Sequence, residues 1–255
     1  MKDSVLTIVT LGLAGFLLSP NSTILAQDPP TFAIEIEGGP VWQSRNDLQI
    51  PNDPSGTRFS LVDLVGTGAQ PSGRLYLTWN ISRRHGLRAL LAPLSFTETG
   101  SPTETINFAG ETYLTGSPVD GTYKFNSWRL GYRYLLRGTD RTRLYIGFTA
   151  KIRDAKVELR QGSTSSRKTD VGFVPLLHLA ADWRFIDAWR LLFDFDGLAG
   201  GPGRAFDVAL KLGYDLSDQT TLFGGYRTVE GGADVESVYN FAWLHYGVAG
   251  MSWRF

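Results

Sequence analysis

Three histidines and 25 acidic residues supply the chain's candidate catalytic chemistry, and cysteine is absent, so thiolate nucleophiles, thiolate metal sites and disulfides are excluded. The most suggestive grouping lies between residues 178 and 196. If Trp183 opposes Trp189 across a turn at 184–188, Asp182 faces Arg190 and His178 faces Asp194. A histidine beside a carboxylate is the base-and-orienter pair of a hydrolase. No serine or other nucleophile falls on the same level, so a polar network of paired charges is the stronger reading. His85 and His245 are far from this pair and from each other, and no short ligand spacing points to a metal or cofactor. The glycine-rich run at 197–204 lacks the Lys-Ser/Thr of a phosphate loop and reads as a tight turn. Asn80-Ile81-Ser82 is a formal glycosylation sequon at a strand end and carries no weight.

These residues must be positioned by strands. Ten segments alternate apolar and polar residues with period two, approximately 32–43, 72–82, 86–97, 122–136, 142–153, 169–183, 189–197, 204–216, 220–229 and 238–255. The gaps between them alternate short (83–85, 137–141, 184–188, 217–219) and mostly long (44–71, 98–121, 154–168, 198–203, 230–237). Short periplasmic turns and longer extracellular loops mark an outer-membrane barrel, and an even strand count puts both termini in the periplasm. Pro93 and Pro175 lack ladder donors and are expected to mark bulges.

Parity assigns the faces. Trp128, Leu130, Tyr132 and Tyr134 oppose Arg129, Gly131 and Arg133, and Trp189, Leu191, Phe193 and Phe195 oppose Arg190, Asp194 and Asp196. On this parity Glu35, Glu37, Arg74, Arg129, Arg133, Lys151, His178, Asp182, Arg190, Asp194, Asp196, Asp207, Lys211 and Arg227 point inwards and fill the lumen. A soluble barrel inverts the two faces, and the aromatic residues discriminate. Trp79, Tyr134, Trp183, Trp189, Tyr214, Trp253 and Phe255 gather outward beside the short turns. Trp42, Trp128, Phe173, Phe195, Phe206, Tyr226 and Trp243 gather outward towards the long loops. Two aromatic girdles suit two membrane interfaces.

Length and charge agree with one domain and no nucleic-acid partner, because 25 basic residues offset 25 acidic ones and leave no basic field. Residues 5–18 form an apolar run shorter than the roughly 18–20 residues of a membrane helix, and Ile24-Leu25-Ala26 follows as a small-residue cleavage site. Residues 1–26 are therefore expected to be a signal peptide and 27–255 the barrel. The long loops carry apolar clusters (Phe59, Leu61, Val62, Leu64, Val65; Ile106, Phe108, Tyr113, Leu114), expected as a helical turn or short strand over the barrel mouth and an extended hairpin. They either bind a ligand, of unknown kind, or pack on each other.

The apolar leader, the alternating strands and the ending from Tyr246 to Phe255 resemble the small porin-like outer-membrane β-barrel proteins of Gram-negative bacteria, over essentially all of residues 31–255. The resemblance is one of architecture rather than motif. It implies an all-β, transmembrane, antiparallel up-and-down barrel, with ten strands favoured over eight or twelve. It implies lipid and lipopolysaccharide as surroundings, and Trp253 and Phe255 as the signal read by the barrel-insertion machinery. That superfamily spans structural barrels, channels, adhesins and enzymes, so fold does not fix function. The expected protein is non-enzymatic and cofactor-free, with a largely blocked polar lumen and a structural or loop-mediated role. The alternatives are a narrow pore and a membrane-embedded hydrolase using His178 and Asp194.

Overall fold

The computed structural model describes residues 30–255; the signal-peptide reading of residues 1–26 lies outside them. The alternating segments form the staves of a closed antiparallel barrel: β1 (Phe32–Gln49), β3 (Gln70–Asn80), β4 (His85–Ala92) continued by β5 (Ser95–Gly100), β8 (Val119–Gly138), β9 (Thr142–Gln161), β10 (Thr164–Ile186), β11 (Trp189–Gly200), β12 (Gly203–Asp215), β13 (Thr220–Val235) and β14 (Val238–Arg254). Ten positions follow around the wall, and β14 returns to β1 to close it. The seam runs from Ala33↔Arg254 through Ile34↔Trp253 to Gln49↔Tyr239. Closure leaves neither of these strands with a free edge, although the ladder skips Gly39 and Pro40 and shifts register between Gln43 and Arg45.

The outer surface is the apolar face. Phe148 is 66% exposed and Leu210 51%, and Leu77, Leu130, Ile146 and Leu177 are exposed beside them. An apolar belt of that extent suits lipid, as the alternation requires. The aromatic levels are set by the ladder. At the end carrying the termini, Phe32 stacks on Trp79 and Trp189 meets Tyr214 edge-on. At the opposite end Trp128, Ile152 and Phe173 lie at one level, as do Trp42 and His245.

Turns at the terminal end are short, occupying 81–84, 139–141, 187–188 and 216–219. At the opposite end the structure corrects the expected loops at 154–168, 198–203 and 230–237. The strands continue through them as tall hairpins with two-residue turns at 162–163, 201–202 and 236–237. Gly201 at one such tip has φ of +56°, a backbone state that L side chains disfavour. The prolines are corrected too. Pro93 breaks pairing between β4 and β5 without shifting register, and the Asn126 side chain accepts the Leu94 N–H at 3.0 Å in place of the ladder. Pro175 stays in register opposite Ala150, with no bulge.

The mouth at this end is plugged. β2 (Phe59–Ser60) pairs with β1 and leads into the one-turn helix α1 (Leu61–Val65), whose Ser60 cap accepts the Asp63 N–H at 3.1 Å. The second excursion is the small hairpin β6 (Ile106–Phe108) and β7 (Glu111–Tyr113). The two pack on each other, with Phe59 edge-on to Phe108 and the Thr57 N–H donating to the Asn107 carbonyl at 2.9 Å. Leu61, Leu64, Val65, Ile106, Phe108 and Tyr113 are buried in one cluster with Leu48, Val119, Leu159 and Leu244 of the wall.

Candidate functional site

Beneath the plug, at the level of the lipid belt, inward side chains from opposite walls meet. Starting at Asp194 on β11, Arg88 Nη1 lies 2.5 Å from its Oδ2 and Arg88 Nη2 3.8 Å from Glu35. Lys211 Nζ donates to Glu35 at 2.6 Å and to Glu37 at 3.2 Å. Arg227 donates to Glu37 at 2.8 Å and reaches Asp207 at 2.5 Å. Arg129 bridges Asp207 and Asp196, both at 2.7 Å. His178 Nδ1 lies 2.9 Å from Asp196 and 3.9 Å from Asp194, which returns the circuit to its start. Arg74 crosses the ring, donating to Asp207 at 2.7 Å.

The ring holds five cationic side chains, Arg74, Arg88, Arg129, Lys211 and Arg227, against five carboxylates, Glu35, Glu37, Asp194, Asp196 and Asp207. Arg227 and Glu37 are almost completely buried. Such charges persist away from water because each is paired and hydrogen-bonded. Tyr76 lies under the Arg88 guanidinium, 4.1 Å from ring centroid to charge, and its hydroxyl accepts from Arg74 Nε at 3.0 Å. A second group sits nearer the terminal end. Arg190 donates to Asp182 and Asp215, at 2.8 and 2.7 Å, and Arg254 donates to Thr221 at 2.7 Å.

Of the residues expected in the network, Glu35, Glu37, Arg129, His178, Asp194 and Asp196 belong to the ring, and Asp182 and Arg190 to the second group. Arg133 stands apart, stacked over Tyr145 at 4.6 Å and donating to Asn80 at 3.3 Å. Lys151 also stands apart: among the described residues its contact is with the Phe125 ring, 4.6 Å away. Trp253 pairs with Ile34 and Thr220, and Phe255 is exposed at the barrel's lower rim.

One register expectation is corrected. His178 faces Asp196, and Asp194 faces Ala180, because an irregularity between Arg184 and Ile186 lets Ile186 oppose Trp189 and Trp183 oppose Leu191. Asp182 still reaches Arg190, since the long arginine spans the diagonal. Arg254 opposes Ala33, and Glu35 pairs with Lys211. Arg88, Tyr76 and Asp215 escape the sequence reading. Arg88 shares an inward parity with Leu90 and Ala92, which hides its polar role.

The chemistry open to this arrangement is limited. Every ring carboxylate is held by at least one cation, and Thr149 Oγ1 donates to Asp196 at 2.8 Å. His178 is buried, its Nε2 has no hydrogen-bond partner among the described residues, and it lines a 20 Å³ cavity with Tyr76, Leu90 and Thr149, room for about one water. On either side the lumen widens: a 150 Å³ cavity towards the terminal end and a 620 Å³ cavity beneath the plug.

No family model matches the chain, and no curated protein is similar to it in sequence. Solved outer-membrane barrels share its architecture. The outer membrane protease OmpT from Escherichia coli superposes with a TM-score of 0.57 at 11% identity, covering 92% of this chain and all of that one. The transport unit of the autotransporter AIDA-I from Escherichia coli gives 0.46 at 9% identity, covering 98% of this chain and 97% of that one. Neisserial surface protein A gives 0.39 at 14% identity, covering 90% and 100%. On the OmpT superposition and its own closed antiparallel ladder, the chain has the fold of an outer-membrane β-barrel protein. At these identities the likeness extends to fold alone.

Proposed function

We propose that this chain is a non-enzymatic integral protein of the outer membrane, with both termini periplasmic, a lumen that does not conduct, and a working surface at its extracellular end. The observation that carries the reading is the closed ionic ring. Its side chains come from eight strands on all sides of the wall and meet at hydrogen-bonding distance, so they occupy the path a solute would take. The orientation is supported by the short turns gathering at the terminal end and the tall hairpins at the other. A non-enzymatic role is supported by His178: it is buried below the plug, and both neighbouring carboxylates are held by arginines.

Planar-bilayer recording tests the closed lumen. The wild type is expected to give no stable unitary steps, whereas Arg227→Ala combined with Asp207→Ala is expected to admit ions. Unitary steps from the wild type would overturn the reading. A robust hydrolysis of lipid or peptide that His178→Ala abolishes, with folding intact, would overturn the non-enzymatic role.

A further inference from the structure

The 620 Å³ cavity beneath the plug lies within the roughly 300–1,000 Å³ range of small-molecule sites. Its lining comes from both faces of the barrel wall. Val174, Leu176 and Asp207 have inward parity, whereas Phe173, Pro175 and Phe206 have outward parity. A space bounded by both faces must pass through the wall, and the ladder shows where. β10 pairs with β9 from Thr164 to Trp183 but with β11 only from Leu177 to Ile186. β11 runs on to Gly200, yet residues 164–176 of β10 form no ladder pair with β11 or β12 among the described residues. This gap opens beside Phe173, at the aromatic girdle, with Phe173 65% and Leu198 41% exposed on its flanks. Pro175 fits there because that edge has no acceptor for a donor to meet.

The polar end of the cavity has a distinct electrostatic character. Lys151 is 3% exposed and lines it. Its ladder neighbour across β8 is Arg129, and Arg153 follows two residues on along the same face. Arg129 is neutralised by Asp196 and Asp207, Arg153 by Asp170, and Arg204 by Glu230. Lys151 has no carboxylate or hydrogen-bond acceptor among the described residues; its ammonium lies 4.6 Å from the Phe125 ring. A buried ammonium opposite a guanidinium is costly without an anion.

We propose that this cavity binds a single-chain anionic amphiphile drawn from the surrounding leaflet, its acidic group on Lys151 Nζ and its apolar tail leaving through the β10–β11 gap between Phe173 and Leu198. The ring below forms the floor, and the cavity's size excludes a multi-chain lipid. The site does not depend on whether the lumen conducts or on which leaflet surrounds it.

The test uses the full chain in neutral detergent, with binding counted by native mass spectrometry and affinity by calorimetry. The probes are dodecanoate, dodecanol and acetate. Dodecanoate is expected to bind once per chain and about tenfold or more tighter than dodecanol, the scale of one charge-assisted contact, with acetate far weaker than either. Lys151→Met is expected to remove that preference and Lys151→Arg to keep it, while Leu198→Glu weakens dodecanoate by repulsion at the gap. Equal binding of dodecanoate and dodecanol by the wild type would overturn the proposal even if no variant folds. So would an unchanged preference in Lys151→Met, acetate binding as tightly as dodecanoate, or indifference to Leu198→Glu.

Discussion

The barrel has two joints of opposite character. β1 and β14 are the most distant staves in sequence, yet they pair from Ala33↔Arg254 to Gln49↔Tyr239. β10 and β11 are joined by a two-residue turn, yet they separate above Leu177↔Gly197. Nearness in sequence therefore does not set how far two staves pair; matched strand length allows the longer joint. β1 and β14 have 18 and 17 residues, whereas β10 has 23 and β11 has 12. The seam must hold against lipid and has no polar gap to spare. The β10–β11 joint lets go only where the wall rises to the outer girdle, where unpaired backbone can reach water.

The largest expected difference between the joints comes from proline. Ala249 is paired on both sides, with Gly38 and Gly224, so Ala249→Pro removes a ladder donor inside the closed wall. That variant is expected to give no heat-modifiable folded barrel. Its counterpart, Pro175→Val, should fold with a stability within about 0.5 kcal/mol of wild type, because the gap edge does not use the restored donor. A clear gain on restoring that N–H would show that the gap closes.

Next comes charge at the lipid face. Ile36 is exposed on the seam, near the middle of the belt, between Met251 and Leu75. Ile36→Arg is expected to cost about 2–4 kcal/mol in denaturant unfolding from vesicles, and Val171→Arg beside the gap about 0–1 kcal/mol. Equal costs would place the two sites at equal depth and remove the interfacial assignment of the gap.

A smaller effect probes how tightly the seam is drawn. Gly39 has φ of +149°, and a Cβ there would lie 2.0 Å from the Gly247 carbonyl oxygen of the facing strand. Gly39→Ala must push β1 and β14 apart locally, at an expected cost of about 1–3 kcal/mol. The denaturant midpoint should fall with the slope unchanged. Gly200→Ala, at the open tip of β11, meets nothing within 4 Å and should leave the midpoint in place.

Much of this architecture was legible in residue parity. Glu35 and Glu37 against Ile34 and Ile36, or Arg190 and Asp194 against Trp189 and Phe193, identify strand, face and girdle because lipid permits one kind of residue only. What stayed hidden has physical reasons. Residues 154–168 rise beyond the girdle, where water wets the outer face and the plug covers the inner one, so Val157 and Leu159 turn inwards against Lys156, Glu158 and Arg160; the lipid-facing parity inverts there, and the segment reads as loop although it is strand. The irregularity at Arg184 and Ile186 leaves no mark in residue type, which is why His178 was matched to Asp194 rather than Asp196. The ring joins strands that are not neighbours, such as β1 to β12 through Glu35 and Lys211. Such contacts depend on the barrel's width and tilt, which parity does not contain. Lys151 shows its parity in the sequence; its isolation from any carboxylate emerges only once Asp196 and Asp207 are seen to be taken by Arg129.

The gentlest test reads the seam's two faces while scarcely disturbing them. Met251 opposes Ile36 and Leu222, both of which face lipid, whereas Ser252 opposes Glu35 and Thr221, which face the lumen. Reversing that parity would put Glu35 and Glu37 into hydrocarbon at a cost of up to several kcal/mol each near the midplane, and would break their bonds to Lys211 and Arg227. The chain has no cysteine, so single cysteines at 251 and 252 can each carry a spin label with no background labelling. The label at 251 should be relaxed by a lipid-soluble quencher such as oxygen. The label at 252 should resist it and respond instead to a small water-soluble reagent entering the 150 Å³ cavity that Ser252 lines. The opposite pattern, or equal water access at both positions, would turn the barrel inside out. The β10–β11 gap would then be a defect in a soluble cup rather than an opening towards lipid.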